Sequence, residues 1–429
     1  MPAQPLPDPG VAPPLTGLVL TGGGARAAYQ VGVLQAISDL RRQCEPNNHA
    51  NPFPVMTGTS AGAINAAALA CGADQFDRSV RRLARVWSHF HPHNVYRSDS
   101  ISMLRSGASW LSLLSLGWVV ARWHRLRPRS LLDNGPLLQL LQQLVPLIRL
   151  PLLMRQGHLH ALAITASSYS SGEHITFFEA GDRLVPWVRT QRRSIRDEIR
   201  HEHLLASSAI PFIFPAQGID IDGATEYFGD GSMRQSAPIA PAIHLGAERI
   251  LVIGAGRMRE SGSDPTAAPS SGYPSLAQIA GHALSNIFLD ALWVDVERMQ
   301  RINKTLSLIP AQARTNSALK PLELLVIAPS QRLDAIATRH VDRLPVALRT
   351  LLGTIGVSSK KQEVRSAALA SYLLFEEHYT QELMALGRAD VAARRDEVLA
   401  FFGWRLSPDR SGAPSQIQPD HLGMPPPDE

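Results

Sequence analysis

Over the first 255 residues, short uninterrupted apolar runs alternate with longer segments whose apolar residues recur every three to four positions. Thr16–Leu20 is the first such run and ends in three glycines. Ala25–Leu40 follows with Tyr29, Val33, Ala36 and Ile37 near helical spacing. Pro54–Thr57 reads as a second buried strand closed by Gly58, and Ala61–Ala70 is small, apolar and helix-prone. Strand, helix, strand, helix at this spacing predicts a right-handed βαβ unit in a mainly parallel sheet. Further strands are expected at Leu159–Ala166, His174–Phe178, Glu226–Phe228 and Arg249–Gly254. From Leu276 to about Trp404 the pattern is mainly helical. The expected division is a disordered proline-rich arm over 1–15, an α/β domain over 16–255, a mainly helical region over 256–405 and a disordered tail over 406–429. The arm lacks the charged start and apolar stretch of a signal peptide.

Composition narrows the function classes. With 45% hydrophobic and 18% charged residues, the chain can bury a sizeable core. Only Lys304, Lys320, Lys360 and Lys361 are lysines, which leaves 38 of the 42 basic residues as arginine. An arginine bias suits phosphate recognition, and more simply a GC-rich genome. The absence of lysine before residue 304 excludes a P-loop and a Ser–Lys hydrolase built on an early serine. Two cysteines, Cys44 and Cys71, cannot make a disulfide framework and suit a reducing cytoplasm. The pI of 9.5 comes with no recognised nucleic-acid module, so no nucleic-acid partner is expected.

One charge-free run, 106–121, would reach about 24 Å as a helix, short of the roughly 30 Å hydrocarbon core. It leads into Arg122, Trp123, Arg125, Arg127 and Arg129, so Ser109–Arg129 reads equally as a core helix with a basic end and as a membrane-surface segment.

Three local patterns carry chemistry. Gly58-Thr59-Ser60-Ala61-Gly62 is a G-x-S-x-G between a strand and a helix. Such a turn exposes a serine hydroxyl at a helix N-terminus, and a Cβ at Gly58 or Gly62 would crowd it. Gly22-Gly23-Gly24-Ala25-Arg26 likewise ends a strand and precedes a helix. Its N–H groups can converge on an oxyanion, or on a dinucleotide pyrophosphate, since Gly22-x-Gly24-x-x-Ala27 fits that fingerprint too. The acidic ribose ligand of a dinucleotide site is missing after the second strand. The serine needs a base. His244, His282, His340 and His378 follow it without a local signature, whereas Asp230-Gly231-Ser232 follows a strand-like run, with Asp222-Gly223 as a competitor. A carboxylate near its ordinary pKa of about 3.9 is a weak base, so burial would have to raise it. His89, His91 and His93 form an H-x-H-x-H run without supporting carboxylates or cysteines, and no metal is expected there. Arg192, Arg193 and Arg196 could hold a phosphate, but read more simply as a solvated helix face.

Together these patterns resemble the patatin-like phospholipases. The resemblance runs through LVLTGGGARAAYQVGVL, GTSAGAINA, SSAIPFIFPA at Ser207–Ala216 and DGSMRQSAPIAPAIHLGA from Asp230, in the family's order, over roughly residues 16–255. It implies a three-layer α/β/α core and a serine–aspartate dyad. Ser60 would be the nucleophile and Asp230 the base, with the Gly22–Gly24 loop holding the oxyanion and Arg26 beside it. Asp230 is favoured over Asp222 because Ser236-Ala237-Pro238 matches the family's run into its next helix. Ala27, Ser232 and Gln235 depart from the family's usual residues, which bears on substrate fit rather than on reactive atoms.

The expected activity is hydrolysis of acyl esters in phospholipids or lysophospholipids, with no metal or organic cofactor. A soluble carboxylesterase, an acyltransferase and an idle lipid-binding module on the same fold are the alternatives. The expected location is the cytoplasm, with peripheral contact at the inner membrane face. The sequence specifies no oligomeric state.

Overall fold

The computed structural model describes residues 14–97, 130–181, 183–233, 235–256, 276–314, 319–346, 348–350 and 367–406, with only the backbone course of 276–291, 311, 367 and 368. The arginine cluster within Ser109–Arg129 lies outside the described residues, as do residues 1–13 and 407–429.

Among the described residues ten strands form one sheet: β1 (Thr16–Leu20), β2 (Val55–Thr59), β3 (Ala161–Ser168), β4 (His174–Ala180), β5 (Val188–Arg189), β6 (Arg192–Arg196), β7 (Gln217–Ile221), β8 (Ala224–Asp230), β9 (Arg249–Ile253) and β10 (Glu323–Ile327). Their order is β10-β9-β1-β2-β3-β4-β6-β5, with a β7–β8 hairpin added along β3. The five strands from β10 to β3 run parallel, as the predicted βαβ pattern requires. Side-chain alternation divides the core between two faces. Leu18, Leu20, Met56, Leu162, Ile164, Leu251 and Ile253 point to one side. Val19, Val55, Ala161, Ala163, Ile250 and Val252 point to the other. Both faces are covered, so each parallel strand is apolar at successive positions.

On the first face lie α1 (Ala28–Cys44), α2 (Ala61–Ala70), α3 (Phe76–Ser88), α4 (Gly135–Leu144) and α5 (His201–Ser207). The second face is covered by Ala240–His244 and by the described end of α6 (Leu276–Ser307). The chain returns to the first face as α7 (Ala367–Leu373) and α8 (Glu377–Ala393). These are the three layers expected.

The region after residue 255 is mainly helical, and it also supplies an edge strand, β10, in register with β9. Its α8 packs directly on α1. A Cβ at Gly32 would lie 2.0 Å from the Met384 carbonyl oxygen and one at Gly387 2.4 Å from that of Tyr29, so the backbones meet only because both positions lack one. Tyr29 donates to Asp390, which also accepts from Ser330, fixing the helix against the β10 loop. Arg192, Arg193 and Arg196 lie on strand β6 instead of a helix face, and Arg193 pairs with Glu173 and Glu226.

Candidate active site

The register on β3 assembles the site. β2 pairs with β3 up to Thr59 opposite Thr165, and there β2 stops. β8 takes over the same edge from the opposite direction, with Asp230 opposite Ala166. Two strands thus meet end to end on consecutive positions of a third. Ser60, the residue after β2, and Asp230, the last of β8, are brought together across 170 residues of sequence: Ser60 Oγ donates to Asp230 Oδ2 at 2.6 Å. The aspartate is the final strand residue, one position earlier than the turn expected for it.

Ser60 occupies the turn from β2 into α2 with φ 55°, a left-handed conformation that costs a non-glycine residue about 1–3 kcal/mol. Its surroundings hold it there. The Ser60 N–H donates to Ser207 Oγ at 2.8 Å, and that hydroxyl donates to the Thr165 carbonyl at 2.6 Å. Ser207 thus ties the elbow to β3, a role the sequence reading did not assign. A Cβ at Gly58 would sit 2.5 Å from the Gly62 carbonyl oxygen, and one at Gly62 2.3 Å from that of Leu20. Both glycines let α2 start directly against the strand ends.

Asp230 is fully buried and Ser60 is 1% exposed. Burial pushes the Asp230 carboxyl up to about 6, against the opposing effect of hydrogen bonds from Ser60 and Ser232. Its second oxygen accepts from the Ser232 N–H at 2.8 Å. Asp222 is elsewhere. With φ 51° beside Gly223 at φ 82°, it forms the exposed two-residue turn of the β7–β8 hairpin.

Gly22–Gly24 ends the neighbouring strand β1, and Gly24, with φ 54°, lines the same cavity as Ser60. Among the described residues no hydrogen bond occupies the N–H groups of Gly23, Gly24 or Ala61. Beneath the loop a buried chain holds it in place: Trp87 donates to Asn65, Asn65 to Gln30 and the Ala27 carbonyl, and Gln30 to the Thr21 carbonyl. Arg26 is 4% exposed and reaches toward the C-terminal region. Its guanidinium donates to Ser371 Oγ at 2.7 Å and Tyr372 Oη at 3.2 Å and stacks on the Tyr372 ring.

None of the described histidine side chains bonds to Ser60 or Asp230. His244 stacks on Trp187, His340 meets Glu382 and His378 meets Glu376. His282 falls where side chains are not described. His91 stacks on His93, and no group of three metal-ligating side chains occurs among the described residues.

A cavity of about 840 Å³ extends from Ser60 along α2, with apolar walls from Ile64, Leu83, Leu137, Leu141, Phe214 and Phe375. That volume falls in the usual range for small-molecule sites, about 300–1,000 Å³. A buried serine–carboxylate pair, unoccupied backbone donors and an apolar cavity on an α/β/α fold make up the equipment of a serine acyl hydrolase. The family model described as "Patatin-like phospholipase" matches residues 18–243, more than half of the chain, and the protein belongs to that family.

A sequence search of curated proteins found no match. Solved structures similar to this chain include human GIVD cytosolic phospholipase A2 in complex with methyl gamma-linolenyl fluorophosphonate, at 14% identity and TM-score 0.40, covering 91% of this chain and 59% of that one. This chain therefore spans less than two thirds of the human enzyme. VipD from Legionella pneumophila matches at 14% identity and TM-score 0.24, over 87% and 67% of the two chains. ExoU from Pseudomonas aeruginosa, solved with SpcU, matches at 16% identity and TM-score 0.26, over 90% and 78%.

Proposed function

We propose that this protein cleaves acyl esters of phospholipids or lysophospholipids through a Ser60–Asp230 dyad. The observation that carries the reading is the 2.6 Å hydrogen bond from Ser60 Oγ to a fully buried carboxylate whose pKa stands at about 6. Ser60 Oγ attacks the acyl carbonyl carbon and passes its proton to Asp230. The oxyanion takes hydrogen bonds from the N–H groups of Gly23 and Gly24, with Ala61 at the start of α2 as a further donor. Collapse breaks the ester bond; the leaving alcohol takes the proton back from Asp230, and an acyl-serine remains. Water then attacks the acyl carbon, gives its proton to Asp230, and fatty acid leaves as Ser60 recovers a proton. The apolar cavity accepts the acyl chain. The Ser371 and Tyr372 contacts hold Arg26 beside the glycine loop, where its charge favours the anionic intermediate.

The test is turnover of a short-chain chromogenic ester, with labelling by a fluorophosphonate probe. Wild type should hydrolyse and label, and Ser60→Ala should do neither. Probe attachment that persists in Ser60→Ala would place the nucleophile elsewhere.

A further inference from the structure

Helix α3 carries Arg78, Arg81, Arg82 and Arg85 at the spacing i, i+3, i+4, i+7, which is one face of a helix. Its opposite face, Phe76, Val80, Leu83, Ala84 and Trp87, is buried. All four arginines are exposed, and all four belong to the lining of the cavity that ends at Ser60. Among the described residues none has a carboxylate partner; Arg78 donates only to the neutral Gln75 side chain. The acid of the same helix, Asp77, is engaged on the far side by Ser38 and Arg41. Asp74, the carboxylate in the cavity lining, is neutralised by Arg149. The exposed part of the lining is therefore a strip of uncompensated positive charge about 10 Å long.

Exposed apolar side chains stand on the segment that carries Arg149, whose guanidinium reaches the Cys71 carbonyl and Asp74 just ahead of α3. Ile148 and Leu152 flank Arg149 and are 86% and 45% exposed. They belong to Gly135–Arg155, an apolar stretch most of which is not buried. In the fold this stretch breaks after Leu144 into separate short helices, so it lies along the cavity instead of forming one continuous helix. Cations beside projecting aliphatic side chains match the boundary between acidic headgroups and acyl chains. A dissolved polyanion would leave those side chains in water.

We propose that the arginine face of α3, together with Ile148 and Leu152, is the surface by which this protein docks on a bilayer containing acidic phospholipids, bringing such a lipid to the mouth of the cavity. The proposal deepens the lipid-hydrolase reading and rests on it for the fate of the bound lipid. Docking itself needs no turnover.

The experiment uses the full chain in a Ser60→Ala background, so vesicles stay intact. Flotation is measured with vesicles of phosphatidylcholine alone and of phosphatidylcholine mixed with phosphatidylglycerol, at low and high salt. Binding to the acidic vesicles alone is expected, weakening with salt. Replacing all four arginines by Gln should lower that binding by about 10²–10³-fold, while replacing them by Lys should largely keep it. Ile148→Ser with Leu152→Ser should weaken the binding that survives at high salt. The four arginines are exposed, so a thermal melt matching the parent establishes that the Gln variant is folded. Equal binding by the Gln variant and its parent would overturn the proposal. So would equal binding to both vesicle types, or binding to RNA or inorganic polyphosphate with vesicles ignored. None of these outcomes touches the hydrolase reading, which stands or falls on soluble-ester turnover.

Discussion

Two strand-to-helix turns stand side by side at the ends of β1 and β2, and they solve opposite problems. In the proposed mechanism the β2 turn must present a side-chain atom, so a residue with a Cβ is held at φ 55° and the strain is met by its neighbours: Ser207 fixes its N–H, and Gly58 and Gly62 clear space around it. In the same mechanism the β1 turn presents only backbone N–H groups, and its strained position is a glycine, Gly24 at φ 54°. A nucleophile at such a turn requires support from outside it, whereas backbone donors require only that nothing be added. Removing an atom should harm the first turn; adding one should harm the second.

The largest effect should come from Ser60→Ala, with ester turnover falling about 10⁴-fold or more, as when other nucleophilic serines are removed. Retention of even a hundredth of the wild-type rate would break the contrast, because the side chain at the β2 turn would then be dispensable.

Asp230→Asn should come next, with a fall of about 10³–10⁴-fold, since an amide cannot take the serine proton. With Asp230 as the proposed base, it must be ionised to act, so wild-type kcat/KM should be flat above about pH 6 and fall tenfold per pH unit below it. Stability should run the other way. A carboxyl raised in the folded state favours folding while protonated, so its contribution is complete below about pH 4 and lost as pH rises through about 6. The shift corresponds to about 3 kcal/mol. Asp230→Asn should therefore melt higher than wild type at pH 8 and level with it at pH 4, as read by calorimetry. A variant that melts lower at both pH values would show that the buried charge carries no such cost.

Gly24→Val tests the added atom. The new Cβ would fall 2.3 Å from the Tyr372 carbonyl oxygen at a backbone angle that branched residues avoid, and oxyanion donors lost this way typically cost about 10²–10³ in rate. Turnover should drop by that factor, with a lower melting temperature as residues 371–372 are pushed away. Wild-type kcat in this variant would remove the loop from the mechanism.

The smallest effect sharpens the comparison. Ser207→Ala leaves the Ser60 N–H and the Thr165 carbonyl without their partner, at a cost of about 1–3 kcal/mol. We expect kcat to fall about tenfold with KM little changed, because in the proposed mechanism Ser207 holds Ser60 in place without facing substrate. A change confined to KM would assign Ser207 to binding instead.

Local rules made much of this legible. Uniform apolar runs marked the parallel strands β1, β2 and β9, because strands covered on both faces have no polar positions to spare. The G-x-S-x-G and triple-glycine turns are legible because their backbone angles and close contacts are set within a few residues. Short or half-exposed strands such as β5 and β7 carry no such run, and β10 sits in a region whose surroundings are helical. Ser207 opens the SSAIPFIFPA segment, yet nothing local says that its hydroxyl will meet the Ser60 N–H and the Thr165 carbonyl.

Local stretches of sequence set the strand-to-helix turns, the glycines that clear them, the candidate nucleophile and the i, i+3, i+4, i+7 spacing of Arg78, Arg81, Arg82 and Arg85. Tertiary structure decided which acid meets Ser60, because that depends on β2 and β8 ending on consecutive positions of β3. It also decided that Arg26 would be held by Ser371 and Tyr372, 345 and 346 residues away, and that the α3 arginines would border the cavity of Ser60. Turn geometry follows from neighbouring side chains and backbone sterics. A carboxylate's partner, its burial and its raised pKa follow from strand register, which no local stretch of sequence encodes.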